Sequence, residues 1–410
     1  MGNAGTLSDA EYISVAAFIL QRNGLEPGAT PLSFSTESRT VLGGIVDGNR
    51  AGSVAAAVYP IPGRVGTSPS PDSVRAMSAG MAPAGGGALT ETPTAITWTY
   101  RSVPRFTPPS DAELADPPSK DWLHWRGNPA AWGYSALKQV NAETVGRLEL
   151  AWVWGLPNGR SQLAPLVRDG VIFITTARNN GLHALDATDG TLLWEYSRQF
   201  PDKSEESRAV RTLALWQDQV LVTTRDGYLV ALHARDGKVR WEVPLGEGEN
   251  ELTTSTGPLI ADGKIINGVN GCGEGAASCF ISARDARTGR LLWRTMTVPK
   301  PGTPGADTWG DVPYERRSGA DVWNGGSWDV KLGLVFFGTA QAKPHVATSR
   351  GMTTDDQTLY ANSTLALDVN DGHIVWHRTH VPGESLDLDE AYEQILIDVD
   401  GQPLVMAAGK

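Results

Sequence analysis

An all-β fold of the propeller type is predicted by three features of the sequence. First, an eleven-residue phrase occurs four times: ALDATDGTLLW at 184–194, ALHARDGKVRW at 231–241, ARDARTGRLLW at 283–293 and ALDVNDGHIVW at 366–376. Second, a short apolar segment precedes each copy: GVIFITT (170–176), QVLVTT (219–224), GKIING (263–268) and LGLVFFGT (332–339). Third, the units recur roughly every 45–50 residues, with one longer interval, which is the period of a blade of three to four strands. A stack of unrelated hairpins in a sandwich would give no reason for the same Trp at the same offset in every unit.

Taken in order, residues 8–23 (SDAEYISVAAFILQRN) read as one amphipathic helix. Ser8 and Glu11 form a capping box, Tyr12, Val15, Ala16 and Ile19 share a face, and Gly24 ends it. A lone helix cannot bury such a face by itself, so it either docks on the β domain or closes a separate one. From 26 to 105 the chain is rich in Gly, Ala, Pro, Ser and Thr and reads as a low-complexity linker. Aromatic density rises at DWLHWRGNPAAWGYS (121–135), and the β domain is placed at 106–410.

Within each phrase, alternating apolar residues lead into a turn whose Gly can take φ > 0, and a strand ending in Trp follows. Each copy is therefore a hairpin whose Trp needs an apolar partner on a neighbouring unit. An acid sits third in three copies, and His233 replaces it in the second. The long step from Trp293 to Trp376 implies an inserted loop, roughly 298–322.

The 46 acidic residues outnumber the 35 basic ones, giving a net charge of −11, which argues against nucleic acid or an anionic membrane as partner. No apolar run is long enough for a transmembrane helix, and Met1 is not followed by a secretory leader. Cys272 and Cys279 are the two cysteines and permit one local disulfide. The seven His residues form no zinc pattern, and no phosphate loop or Gly-x-Ser-x-Gly elbow occurs.

Several stretches together resemble the quinoprotein alcohol dehydrogenases, which use pyrroloquinoline quinone (PQQ). They are 121–152, the four Trp phrases, and TLYANSTLALDVNDGHIVWHRTHVPGESLDLDE at 358–390. The resemblance implies an eight-bladed propeller, of which about five blades are present, so the chain reads as part of a longer product. Residues 1–25 resemble the last helix of a c-type cytochrome, an order similar to polyvinyl alcohol dehydrogenase-like quinohaemoproteins. No Cys-x-x-Cys-His occurs, so haem c would belong to a part preceding this chain. Met1 lies where such a domain places its axial Met but reads as an initiator.

The resemblance also assigns roles. Trp323 in SGADVWNGGSWD corresponds to the Trp that stacks on PQQ, Arg211 and Thr256 to residues that bind its carboxylates, and Lys410 to the cation on the quinone oxygens. Gln162 is a further cofactor position, where the family usually carries Glu. Glu274, Gln341 (in place of Asn), Asp387 and Asp389 are the implied ligands of Ca²⁺ or a lanthanide, ions that take hard oxygen donors. Asp387 is the implied catalytic base, with Leu386 in place of the customary Trp before it. Glu384 and Glu390 complete an acidic loop that a bland reading leaves solvated. A Cys272–Cys279 bridge would stiffen the Glu274 loop and suit an oxidising compartment.

The expected function is oxidation of a small or polymeric alcohol in the periplasm, with electrons passing to cytochrome c. The rival readings are a non-catalytic Trp-repeat scaffold that binds proteins, and an inactive portion of the enzyme.

Overall fold

The phrase folds as a bulged hairpin in all four copies. In each the strand register slips at the same place, between Ala184 and Leu185, Ala231 and Leu232, Ala283 and Arg284, and Ala366 and Leu367. The acid at the third position closes the turn. Asp186 Oδ1 accepts from the Thr188 amide at 2.9 Å, Asp285 Oδ1 from Arg287 at 3.1 Å, and Asp368 Oδ1 from Asn370 at 2.7 Å. These bonds explain why the turn selects Asp.

The computed structural model describes residues 95–156, 162–176, 181–198, 210–224, 226–246, 254–270 and 279–409, and the backbone of two paired segments at 40–41 and 57–58. Met1, the helix expected at 8–23, Cys272, Glu274 and Lys410 lie outside the described residues.

Four antiparallel sheets, each built on four strands that neighbour one another in chain order apart from a short strand at Ala342–Lys343 inside the last, form the blades. The first comprises Leu166–Arg168, Val171–Thr175, Leu182–Asp186 and Leu192–Arg198. The second comprises Ala214–Trp216, Gln219–Thr223, Tyr228–His233 and Val239–Pro244. The third runs through Leu259–Ala261, Lys264–Gly268, Phe280–Asp285 and Leu291–Met296. The fourth runs through Ser327–Asp329, Leu334–Gly338, Ser363–Asp368 and Ile374–Thr379. A hairpin of Ile395–Val399 and Gln402–Met406 follows, so the expected five units are four full blades and one two-stranded sheet among the described residues.

Two boundaries differ from the sequence expectation. Ala95–Thr99 pairs with Leu192–Arg198 as a fifth, outer strand of the first blade, although a linker was expected to residue 105. Its alternating, β-branched AITWT was averaged away by the Gly- and Pro-rich residues before it. The extra length of the fourth unit also falls in two loops rather than one. Turns at Ala306–Trp309 and Tyr314–Arg316 precede the blade, and Ala347–Arg350 lies between its second and third strands. Both loops share a core around Trp309, which is fully buried and whose Nε1 donates to Leu359 O at 2.5 Å.

In the first three copies the repeated Trp locks its blade onto the Gly of the next, and Trp152, before the first blade, meets Gly190 in the same way. Gly190, Gly237, Gly289 and Gly372 all have φ between 71° and 75°. A Cβ on Gly190 would lie 2.7 Å from the Trp152 ring and one on Gly289 2.8 Å from Trp241. The approach of Trp194 to Gly237 and of Trp293 to Gly372 is closer still. Gly is required twice over, for its backbone and for the indole above it. Trp152, Trp194 and Trp293 also donate Nε1 to the carbonyls of Ala187, Ala234 and Val369 at 3.0–3.1 Å. Trp241 makes the ring contact, but its N–H has no hydrogen-bond partner among the described residues. Trp376, in the last copy, is 39% exposed and packs on Phe336 of its own blade, centroids 5.8 Å apart.

Short backbone bonds tie the blade entrances together. Ala164 donates to Arg211 O at 3.2 Å, Arg211 to Ser255 O at 3.0 Å and Val322 to Val269 O at 2.9 Å. The first two put the segments before successive first strands side by side, and the third sets the entrance of the fourth blade against the residue that leaves the second strand of the third blade.

Candidate active site

In an antiparallel pair, the residue before the first strand and the residue after the second lie at the same end. Arg211, Ser255, Thr256 and Trp323 enter first strands in three consecutive blades, and Asn270 and Gln341 follow second strands in the last two. The repeat thus brings residues far apart in sequence to one face. A cavity of about 120 Å³ opens there, lined by Asn270, Asp321, Trp323, Ala340, Gln341, Lys343 and Asp389.

The Trp323 indole is fixed on two sides. Tyr392 meets it edge-on, centroids 5.4 Å apart and planes at 87°. The Arg211 guanidinium lies 4.9 Å from its ring centroid and donates to Trp323 O at 2.9 Å and to the Ser255 hydroxyl. Burial lowers the Arg211 pKa, with Glu393 opposing that shift, and no carboxylate contacts Arg211 as an ion pair among the described residues. A half-buried cation over an aromatic floor suits a flat anionic ligand.

Gln341, which lines the same cavity, is 7% exposed, and its Nε2 donates to Asp387 Oδ1 at 2.5 Å while its backbone N–H reaches Asp389 Oδ1 at 3.4 Å. The Gln341 Oε1 atom is buried with no hydrogen-bond partner among the described residues. An orphaned amide oxygen beside two carboxylates is a hard-oxygen donor set and fits a Ca²⁺-like or lanthanide ion. The described carboxylates do not by themselves make a group of three able to hold a metal, and the expected fourth ligand, Glu274, is not among them.

Asp387 sits at φ 64°, a backbone region that non-Gly residues rarely occupy. The reason it is held there is Glu384. The Glu384 Oε1 atom accepts from the amides of Leu386 and Leu388, the latter at 3.1 Å, so one carboxylate oxygen grips both sides of Asp387. Glu384 and Glu390 are 6% and 5% exposed, so the solvated acidic loop of the bland reading is wrong. Burial and the neighbouring Asp389 raise the Glu390 pKa. Glu384→Ala is expected to raise hydrogen exchange at the Leu386 and Leu388 amides by about tenfold or more, since charge-assisted bonds are worth about 1.5–3 kcal/mol. Glu384→Gln, which keeps an acceptor oxygen, restores protection; equal exchange in all three proteins would refute this role.

Other expected residues fall differently. Thr256 is fully buried and its hydroxyl donates to Val322 O, so in this structure it braces the segment carrying Trp323 rather than lining the cavity. Gln162 is exposed and is not among the cavity residues. Cys279 is buried and disulfide-bonded, and its expected partner Cys272 lies outside the described residues. Gly409 abuts the Glu390 carboxylate, and Lys410 beyond it is not described. Sequence reasoning missed Asn270, Asp321 and Lys343; each stands two or three residues from an expected site residue or an inward-facing strand, which is the signal that was available.

Comparison with known proteins shows what the β domain is similar to. The model of the PQQ glucose/ethanol/alcohol dehydrogenase β-propeller domain matches residues 122–408. The quinohemoprotein alcohol dehydrogenase ADH IIB of Pseudomonas putida is 34% identical over 300 residues, covering 69% of this chain and 43% of that protein. The solved quinohemoprotein alcohol dehydrogenase of Comamonas testosteroni superposes with a TM-score of 0.64 at 30% identity, over 73% of this chain and 47% of that one. A europium-containing methanol dehydrogenase superposes with a TM-score of 0.66 at 25% identity, over 73% of this chain and 56% of the other. The chain spans about half the length of these relatives or less. With a matched model over most of its length and blades locked as described, the chain belongs to the PQQ-type alcohol dehydrogenase β-propeller family.

Proposed function

We propose that this chain is the cofactor-bearing propeller of a PQQ-dependent alcohol dehydrogenase that oxidises a small or polymeric alcohol to an aldehyde or ketone. The observation that carries the reading is the meeting of Trp323, the orphaned Gln341 oxygen and the Asp387–Asp389 loop on one cavity. PQQ, when bound, supplies a quinone able to accept the two electrons of the alcohol. Trp323 is its aromatic floor and Arg211 the counterion of a carboxylate, with Lys410 a further cation. Gln341, Asp387, Asp389 and Glu274 would hold Ca²⁺ or a lanthanide. Asp387, held by Glu384 and Gln341, takes the hydroxyl proton from the alcohol. Thr256 acts through Val322, orienting the indole.

The enzyme is placed in the periplasm, where the Cys279 disulfide is stable, with a cytochrome c as electron acceptor and haem c in a preceding domain. No helix among the described residues is long and apolar enough to cross a membrane. Reconstituting the complete gene product with PQQ and either Ca²⁺ or La³⁺, then following dye reduction with primary and secondary alcohols, tests the reading. Turnover that needs PQQ, cation and alcohol together is expected. A protein that binds neither PQQ nor cation would overturn it and leave the Trp-repeat scaffold.

A further inference from the structure

The cavity wall holds an ion pair that none of the assigned roles uses. Asp321 Oδ2 lies 2.7 Å from Lys343 Nζ, the acid side chain 2% exposed and the lysine 39%. Both residues line the cavity beside Gln341 and Asp389. Their placement follows from backbone pairing. Ser318 pairs with Lys343 and Gly319 with Ala342, then Ala320 donates to Gln341 O at 3.0 Å and Ala340 to Asp321 O at 2.8 Å. Asp321 therefore stands across from the segment that carries Gln341.

The lysine is anchored as well as paired. Arg350 donates to Pro344 O at 2.5 Å and His345 O at 2.7 Å, fixing the turn directly after Lys343. A carboxylate as buried as Asp321 strongly favours a cation beside it. Here the protein supplies that cation itself, so Asp321 adds no net charge to the metal-binding wall.

We infer that Lys343 cancels the charge of the buried Asp321 carboxylate, so that the choice of ion is left to the proposed ligands; without this lysine Asp321 would shift the cavity toward a trivalent over a divalent metal. This rests on the reading that Gln341, Asp387 and Asp389 hold a metal. One unit charge acts on a trivalent ion half as strongly again as on a divalent one, and at the effective dielectric of protein sites that difference amounts to about tenfold in relative affinity.

The test is metal binding to the complete protein without PQQ, read as Trp-sensitised Tb³⁺ luminescence with Ca²⁺ competition. Lys343→Met is expected to raise the Tb³⁺-to-Ca²⁺ affinity ratio about tenfold or more. Asp321→Asn, which leaves the lysine unpaired, lowers it by a similar factor. The double variant, neutral like the native pair, returns it to the wild-type value. Should Lys343→Met fail to fold, Asp321→Asn and the double variant still decide the matter. Unchanged ratios with cation bound in every variant would overturn the inference while leaving the proposed function standing. Absence of any cation binding in the wild type would overturn both.

Discussion

Replacing Trp194 with alanine is expected to lower the unfolding free energy by about 3–5 kcal/mol, the range for a large aromatic deleted from a packed core. The Trp194 ring is fully buried, lies on Gly237 of the next blade and donates to Ala234 O at 3.0 Å, so the change leaves a void at a blade interface and orphans a carbonyl. Trp376→Ala removes the equivalent residue from a place where it is 39% exposed, and a loss of about 1 kcal/mol is expected. Urea denaturation of the two variants measures the contrast. Equal losses would show that the repeated Trp is not an interblade lock.

Replacing Asp387 with asparagine is expected to reduce kcat by about 10²–10⁴ in the reconstituted enzyme, the usual contribution of a positioned general base. The amide is nearly isosteric and keeps an oxygen for the Gln341 Nε2 bond, so the loop and its φ of 64° should survive. Loss of turnover with an unchanged melting temperature is therefore the expected result. Retained kcat would remove Asp387 from the proton-transfer step.

The blades were legible in the sequence because one phrase encodes a bulge and a Gly turn ending in Trp in all four copies, and a turn-closing Asp in three of them. Ala95–Thr99 was not, since a five-residue strand on a blade's outer edge carries too little pattern to stand out from the linker composition around it. In the site, Trp323, Gln341, Asp387 and Asp389 were found through their motifs, and the structure brings them to one cavity or its wall. Glu384, Asp321 and Lys343 were passed over for a physical reason. Their importance lies in burial and in partners distant across the fold, and an acid in a hydrophilic loop looks the same in sequence whether it faces water or grips two amides. Thr256 illustrates the converse, a motif residue whose hydroxyl is satisfied by the backbone it braces.

The central claim is that a flat redox cofactor and a metal share the space between Trp323 and the Gln341–Asp387–Asp389 wall. Crystals of the complete protein loaded with PQQ and La³⁺, with anomalous scattering used to locate the ion, test it most directly. The expected map shows the lanthanum peak at the Gln341 Oε1 and Asp387 carboxylate oxygens, and planar density lying on the Trp323 indole. Lanthanum bound to surface acids, with the indole bare, would contradict it.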